Sequence, residues 1–158
     1  MTGVQTCALP ISGIQRALAQ GAAAIALLNN DTLADAGLFE RLLLALEQHP
    51  GAGAAGPLIY YAAPTDRIWY AGGACHPGIA FSWHRGIRSR DHGQYRSVEA
   101  TGYLTGCCLL AMREVWERVG PLDEGYYIYA EDSDWSLRVR ELGLMLLFVP
   151  TADRKSVV

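Results

Sequence analysis

A chain of 158 residues suits one domain and is long enough to bury a core of its own. Half of it is hydrophobic (51%), 18% is charged and the net charge is −3, which excludes a disordered polymer and gives no sign of nucleic-acid binding. No apolar run approaches the roughly 20 residues of a membrane-spanning helix, and no secretory signal is legible.

In chain order, "MTGVQTCALPIS" has neither helical nor strand period and reads as a non-native tail, residues 1–12. Ser12 is placed to cap a short helix over Gly13–Gln20, which Gly21 stops. Ala22–Leu28 is a continuous apolar run of strand length, as expected for a strand covered on both faces. It ends in "NNDT", so Asn29–Ala34 is expected to be a polar loop. Leu38, Leu42, Ala45 and Leu46 recur at helical spacing until "HPG" at His49–Gly51 breaks the helix. "GAAGPLIYY", Gly53–Tyr61, is the next strand, and strand–helix–strand predicts a parallel pair with a right-handed crossover.

"RIWYAGG", Arg67–Gly73, is a short strand, followed by a basic loop over residues 83–96 that carries Arg85, Arg88, Arg90 and Arg96. Such a run meets a phosphate or is merely a solvated face. "TGCCLLAM", Thr105–Met112, returns to strand; "REVWERVG" is a helix that Gly120 and Pro121 end. Trp135, Val139 and Leu142 fall at i, i+4 and i+7, so a helix runs from near Glu131 to Gly143. "LMLLFVP" is a last strand, and "DRKSVV", residues 153–158, reads as a second non-native tail. Cys7, Cys75, Cys107 and Cys108 are expected to be reduced thiols of a cytosolic protein; the adjacent pair makes a poor metal clamp on a strand.

Two oxygen-rich clusters stand out. Asn29, Asn30 and Asp31 follow a strand, and in open α/β sheets ligands bind beyond the carboxyl ends of the strands. Asp31 is suited to hold magnesium or manganese against a diphosphate, although Asn and Asp equally suit a turn or a helix cap. The second cluster is Glu131, Asp132 and Asp134, preceded by Tyr126, Tyr127 and Tyr129. Acids in the first turn of a helix complement its dipole; one of them is also placed to act as a general base.

The ordered series "LLNNDT", "GPLIYY", "RIWYAGG", "TGCCLL", "REVWERVG", "LDEGYYIYAEDSDWSLRVRELG" and "LLFVP" resembles the family 2 glycosyltransferases of the GT-A fold, in particular their rhamnosyltransferase-like bacterial members. The likeness covers residues 13–152, expected to be a partial catalytic domain. It implies an α/β, three-layer α/β/α sandwich with a mostly parallel sheet, incomplete here. It implies an inverting, metal-dependent transfer from a nucleotide-diphosphate sugar (dTDP-, UDP- or GDP-linked, with rhamnose the family-level choice) to a glycan or lipid-linked acceptor. The setting implied is cytoplasmic, with membrane association through other regions.

The resemblance also implies residue roles. "NND" stands where the family carries D-x-D, so Asp31 matches the acid that holds the metal and diphosphate, with Asn29 in place of the first aspartate and Asn30 between them. Asp132 matches the catalytic base, with Glu131 beside it. Gly106 of "TGCC" matches the segment that lets a sugar approach closely, and Trp135 and Tyr129 are placed as acceptor-stacking rings, Trp135 being equally a core anchor. The family's first strand and its acidic turn precede the start of this chain, and "DRKSVV" stands where the family has a metal-binding histidine; the expectation is a weak or inactive fragment. A non-catalytic sugar-nucleotide or polysaccharide-binding domain, a sugar nucleotidyltransferase, and a purely structural fragment whose acids are caps are the competing readings.

Overall fold

The computed structural model describes residues 8–76, 81–126 and 130–156. The helix expected over 13–20 begins earlier: α1 runs Ala8–Ala19, with Ile11 and Ile14 buried. Then come β1 (Ala24–Leu28), a short strand β2 (Thr32–Ala34) inside the expected polar loop, and α2 (Leu38–Gln48). The four residues that carried the helical period in α2, Leu38, Leu42, Ala45 and Leu46, are its buried face. β3 (Ala52–Tyr60), β4 (Ile68–Tyr70), β5 (Gly73–His76), β6 (Phe81–His84), β7 (Glu99–Thr101) and β8 (Cys108–Met112) follow. The chain closes with α3 (Arg113–Val119), α4 (Glu131–Glu141) and β9 (Met145–Ser156).

The central sheet has the order β1-β8-β3-β9-β2, with β4 on β3 and β7 on β9. β5 and β6 form a separate antiparallel pair. β3 and β9 are parallel neighbours. β1 and β3, expected to pair directly, are separated by β8, which is antiparallel to both. β1, β3 and β9 therefore point the same way, and their carboxyl ends share one edge. Along β8, Cys108 and Leu110 face one core while Leu109 and Ala111 face the other, the alternation a strand imposes. α2 covers the first face; α1, α3 and α4 cover the second, which completes the three layers. Glycines let the layers close: a Cβ on Gly53 would stand 2.8 Å from Val139 Cγ1 of α4. No described helix is long and apolar enough to cross a membrane.

Candidate functional site

The carboxyl edge carries both acidic clusters. Asn29, Asn30 and Asp31 are exposed in the turn after β1. They do not cap α2. The N-cap is Gly37, with no side-chain cap bond; just ahead of it, Asp35 Oδ1 accepts a bond from Gly37 N at 2.9 Å, and its carboxylate, held below the usual range by that bond and by Arg41, pairs with the Arg41 guanidinium. Among the described residues nothing engages the Asp31 side chain. One unspent carboxylate flanked by amide oxygens fits a hard cation that completes its shell with substrate phosphates; no group of three acidic, His or Cys ligands is present among the described residues, so Asp31 would hold it with help from substrate.

A tight turn joins this edge to the second cluster. Asn29 N donates to Cys107 O at 3.0 Å, and one residue earlier Gly106 N donates to Asp132 Oδ2 at 2.8 Å. Tyr103 Oη also donates to Asp132 Oδ2, at 2.8 Å. Among the described residues the other oxygen, Oδ1, has only Ser133 Oγ at 3.4 Å. Asp132 is thus fixed in orientation through one oxygen. Gly106 serves here through its backbone N–H, and a Cβ on it would meet Asp132 Oδ2 at an ordinary 3.6 Å.

The remaining residues of the cluster separate by role. Asp134 pairs with Arg138 at 2.7 Å, on the far side of the helix start. Glu131 Oε2 is buried without a partner among the described residues; burial, with the neighbouring Asp132 charge adding to it and a backbone hydrogen bond opposing, raises its carboxyl above the ordinary carboxylate range. Trp135 is corrected from an acceptor-stacking ring to a core anchor: it is fully buried, lies 4.4 Å from the Trp116 ring and donates from Nε1 to Gly120 O at 3.1 Å, so neither face is open to a sugar. Tyr129 lies outside the described residues.

Sequence reasoning missed the aromatic bed under Asp132. Tyr70 Oη donates to Tyr103 O at 2.6 Å, and His84 stacks on Tyr103 at 5.8 Å. Burial raises the Tyr103 phenol, which therefore stays a donor to Asp132, and lowers the His84 imidazole. Beyond Tyr103, the exposed Trp83 opens onto a cleft of about 220 Å³ with Gly73, Gly102 and Arg85. These residues come from segments far apart in the chain and share no spacing, so no motif could have collected them. Two arginines of the basic loop pair with acids outside it: Arg85 binds Glu99, and Arg90 binds Asp66 at 2.5 Å. Cys75, Cys107 and Cys108 are buried and form no disulfide among the described residues.

No protein-family model matches the chain. Proteins from two strains of Mycobacterium tuberculosis, both named N-acetylglucosaminyl-diphospho-decaprenol L-rhamnosyltransferase, are 32% identical over 134 residues, 79% of this chain and 44% of theirs. The uncharacterized protein y4gI of Sinorhizobium fredii is 32% identical over 134 residues, 82% of this chain and 14% of that protein. The chain thus spans under half the length of the curated relatives it matches. The crystal structure of GalNAc-T7 with UDP, GalNAc and Mn2+ is similar with a TM-score of 0.67 over 92% of this chain and 30% of that one; at 19% identity the likeness shows the fold.

Proposed function

We propose, for a chain that belongs to the rhamnosyltransferase-like family 2 glycosyltransferases with the GT-A fold, that its carboxyl edge serves an inverting sugar transfer from a nucleotide-diphosphate donor to an acceptor hydroxyl. One observation carries the reading: the turn 105–107 bonds to the "NND" segment on one side and to the Asp132 carboxylate on the other. A diphosphate held at Asp31 and a base at Asp132 would then flank one point in space. A magnesium or manganese ion held there would neutralise charge on the departing diphosphate.

The chain's own residues supply the rest. Tyr103 and Gly106 hold Asp132 so that Oδ1 faces the acceptor. Oδ1 takes the hydroxyl proton as the acceptor oxygen bonds to the anomeric carbon, and the electron pair of the breaking C–O bond leaves with the diphosphate. Attack and departure lie on opposite faces, so configuration inverts. The decaprenol-linked diphosphate named for the mycobacterial relatives supports a lipid-linked saccharide as the acceptor class and rhamnose as the sugar.

Calorimetric titration with dTDP, UDP and GDP, with and without manganese, tests the reading. Manganese-dependent binding of one nucleotide, lost in Asp31→Ala and kept in Asp132→Asn, is expected. Asp132→Asn should abolish transfer; wild-type turnover in that variant would remove the base assignment. Binding without transfer in the unaltered chain would favour a non-catalytic domain of the same fold.

A further inference from the structure

A second pocket opens on the same edge, at the end of β3, and takes no part in the chemistry above. Its volume is about 380 Å³ and it is lined by Tyr61, Ala63, Pro64, Arg67 and Arg88. The two walls differ in character: Ala63 and Pro64 are apolar, while Arg67 and Arg88 are cationic. Neither arginine is in an ion pair among the described residues, and the nearest acid in sequence, Asp66, is taken by Arg90. Arg67 Nη1 donates to Arg88 O at 3.2 Å, which draws two like charges to one pocket with no acid in its lining.

Arg88 also holds an unfavourable backbone. Its φ is +62°, the left-handed region where glycine or asparagine is at home. The neighbouring hydrogen bonds impose it: Arg88 N donates to Ile68 O at 2.7 Å and Ile68 N to Ser89 O at 2.9 Å. Strain of this kind, carried by an arginine that lines an open pocket, points to a role for the residue beyond the turn.

We propose that this pocket binds the diphosphate of an acceptor that carries it on an apolar chain. Two arginines present parallel N–H donors to phosphate oxygens, and the apolar wall covers the first carbons of the tail. The placement suits that task. β8, whose start leads back to the Gly106 turn, is the strand between β1 and β3, so the carboxyl ends of β1 and β3 flank that turn on one edge of the sheet. Donor diphosphate and acceptor diphosphate would then approach the base from opposite sides. This rests on the lipid-linked acceptor proposed above.

The test uses geranyl diphosphate, inorganic diphosphate and geraniol, titrated into the chain in EDTA so that no cation site contributes. Geranyl diphosphate is expected to bind more tightly than either of its parts. Arg67→Gln and Arg88→Gly should each weaken it by roughly tenfold, the loss of one charge-assisted contact. Arg88→Gly should do so with an unchanged or higher Tm, because glycine accepts the backbone that arginine is forced into. No binding to the folded chain, or wild-type affinity in both arginine variants, overturns the proposal. Loss of binding in Asp31→Ala also overturns it, by moving the ligand to the donor turn. Manganese-dependent nucleotide binding should survive in both arginine variants, so its absence in the unaltered chain marks failure of the glycosyltransferase reading rather than of this pocket.

Discussion

Asp132 depends on a neighbour far away in sequence. Tyr103 Oη and Gly106 N saturate Oδ2. Tyr103→Phe removes one of the two bonds and frees the carboxylate to turn. Turnover should fall by roughly 10 to 100-fold while nucleotide affinity stays, since misorientation of a general base costs that much; unchanged turnover would show that Gly106 alone orients it. Glu131 offers a prediction on pH. Its raised carboxyl binds a proton more tightly in the folded chain than at the ordinary value of 4.5 in the unfolded one. Its contribution to stability is therefore full below that value and is lost as pH rises through the folded one. Glu131→Gln has no such loss, so its Tm should exceed that of the unaltered chain at neutral pH and converge with it in acid. A variant less stable at neutral pH would mean that the Glu131 charge has a partner worth keeping. Asp31 and Asp132 were legible because each sits in a short motif at the end of an apolar run. Tyr103 was not, because a contact spanning 29 residues leaves no period or spacing to read.

At the scale of elements, α3 and α4 stabilise each other's ends. Trp116 and Trp135 pack at an interplanar angle of 31°, and Trp135 Nε1 reaches the carbonyl of Gly120 just beyond α3. Arg138 donates to Val119 O at 2.7 Å and Pro121 O at 2.9 Å, placing a cation at the C-terminal, negative end of α3. This junction holds the start of α4, and with it Asp132. Trp135→Ala should cost about 3 to 5 kcal/mol, in the range for deleting a buried indole, read as a fall in the denaturant midpoint. Trp135→Phe should cost less and leave ligand affinity unchanged. A large loss of acceptor affinity in a folded Trp135→Phe chain would reopen the stacking role. The period in Trp135 and Val139 announced a buried stripe correctly, whereas Leu142, the third member, remains 40% exposed past the helix end. Periodicity says which residues share a face, not which large aromatic on it is sealed. The β5–β6 hairpin escaped notice for a related reason: Phe81 and Trp83 of β6 are exposed at 59% and 50%, so no buried alternation marks that strand.

For the molecule as a whole, the strand order was the hardest feature to read. Apolar runs identified β1, β3, β8 and β9, but nothing in "TGCCLLAM" says that it enters between β1 and β3. That position follows from burial on both faces: Cys108, Leu109 and Ala111 are all fully buried, which only an interior strand between two helical layers provides. Interior placement has a consequence for dynamics. β8, β3 and the first half of β9 are covered by both cores, whereas β5 and β6 form an isolated two-stranded sheet, which has little stability of its own. Amide hydrogen exchange should therefore divide the chain. Leu109, Leu110 and Ala111 should exchange only through global unfolding, and the β5–β6 amides through local opening with far smaller free energy. The turn 105–107 joins the slow strand to the donor segment and to Asp132, so Asp132 should be held by the slow unit while Trp83 moves with the fast one. A metal–nucleotide complex at Asp31 should then leave β8 protection set by overall stability and slow exchange chiefly at Asn29, Gly106 and Cys107. Equal protection of the hairpin and β8 in the free chain would contradict this division, and would require the β5–β6 pair to unfold only with the core.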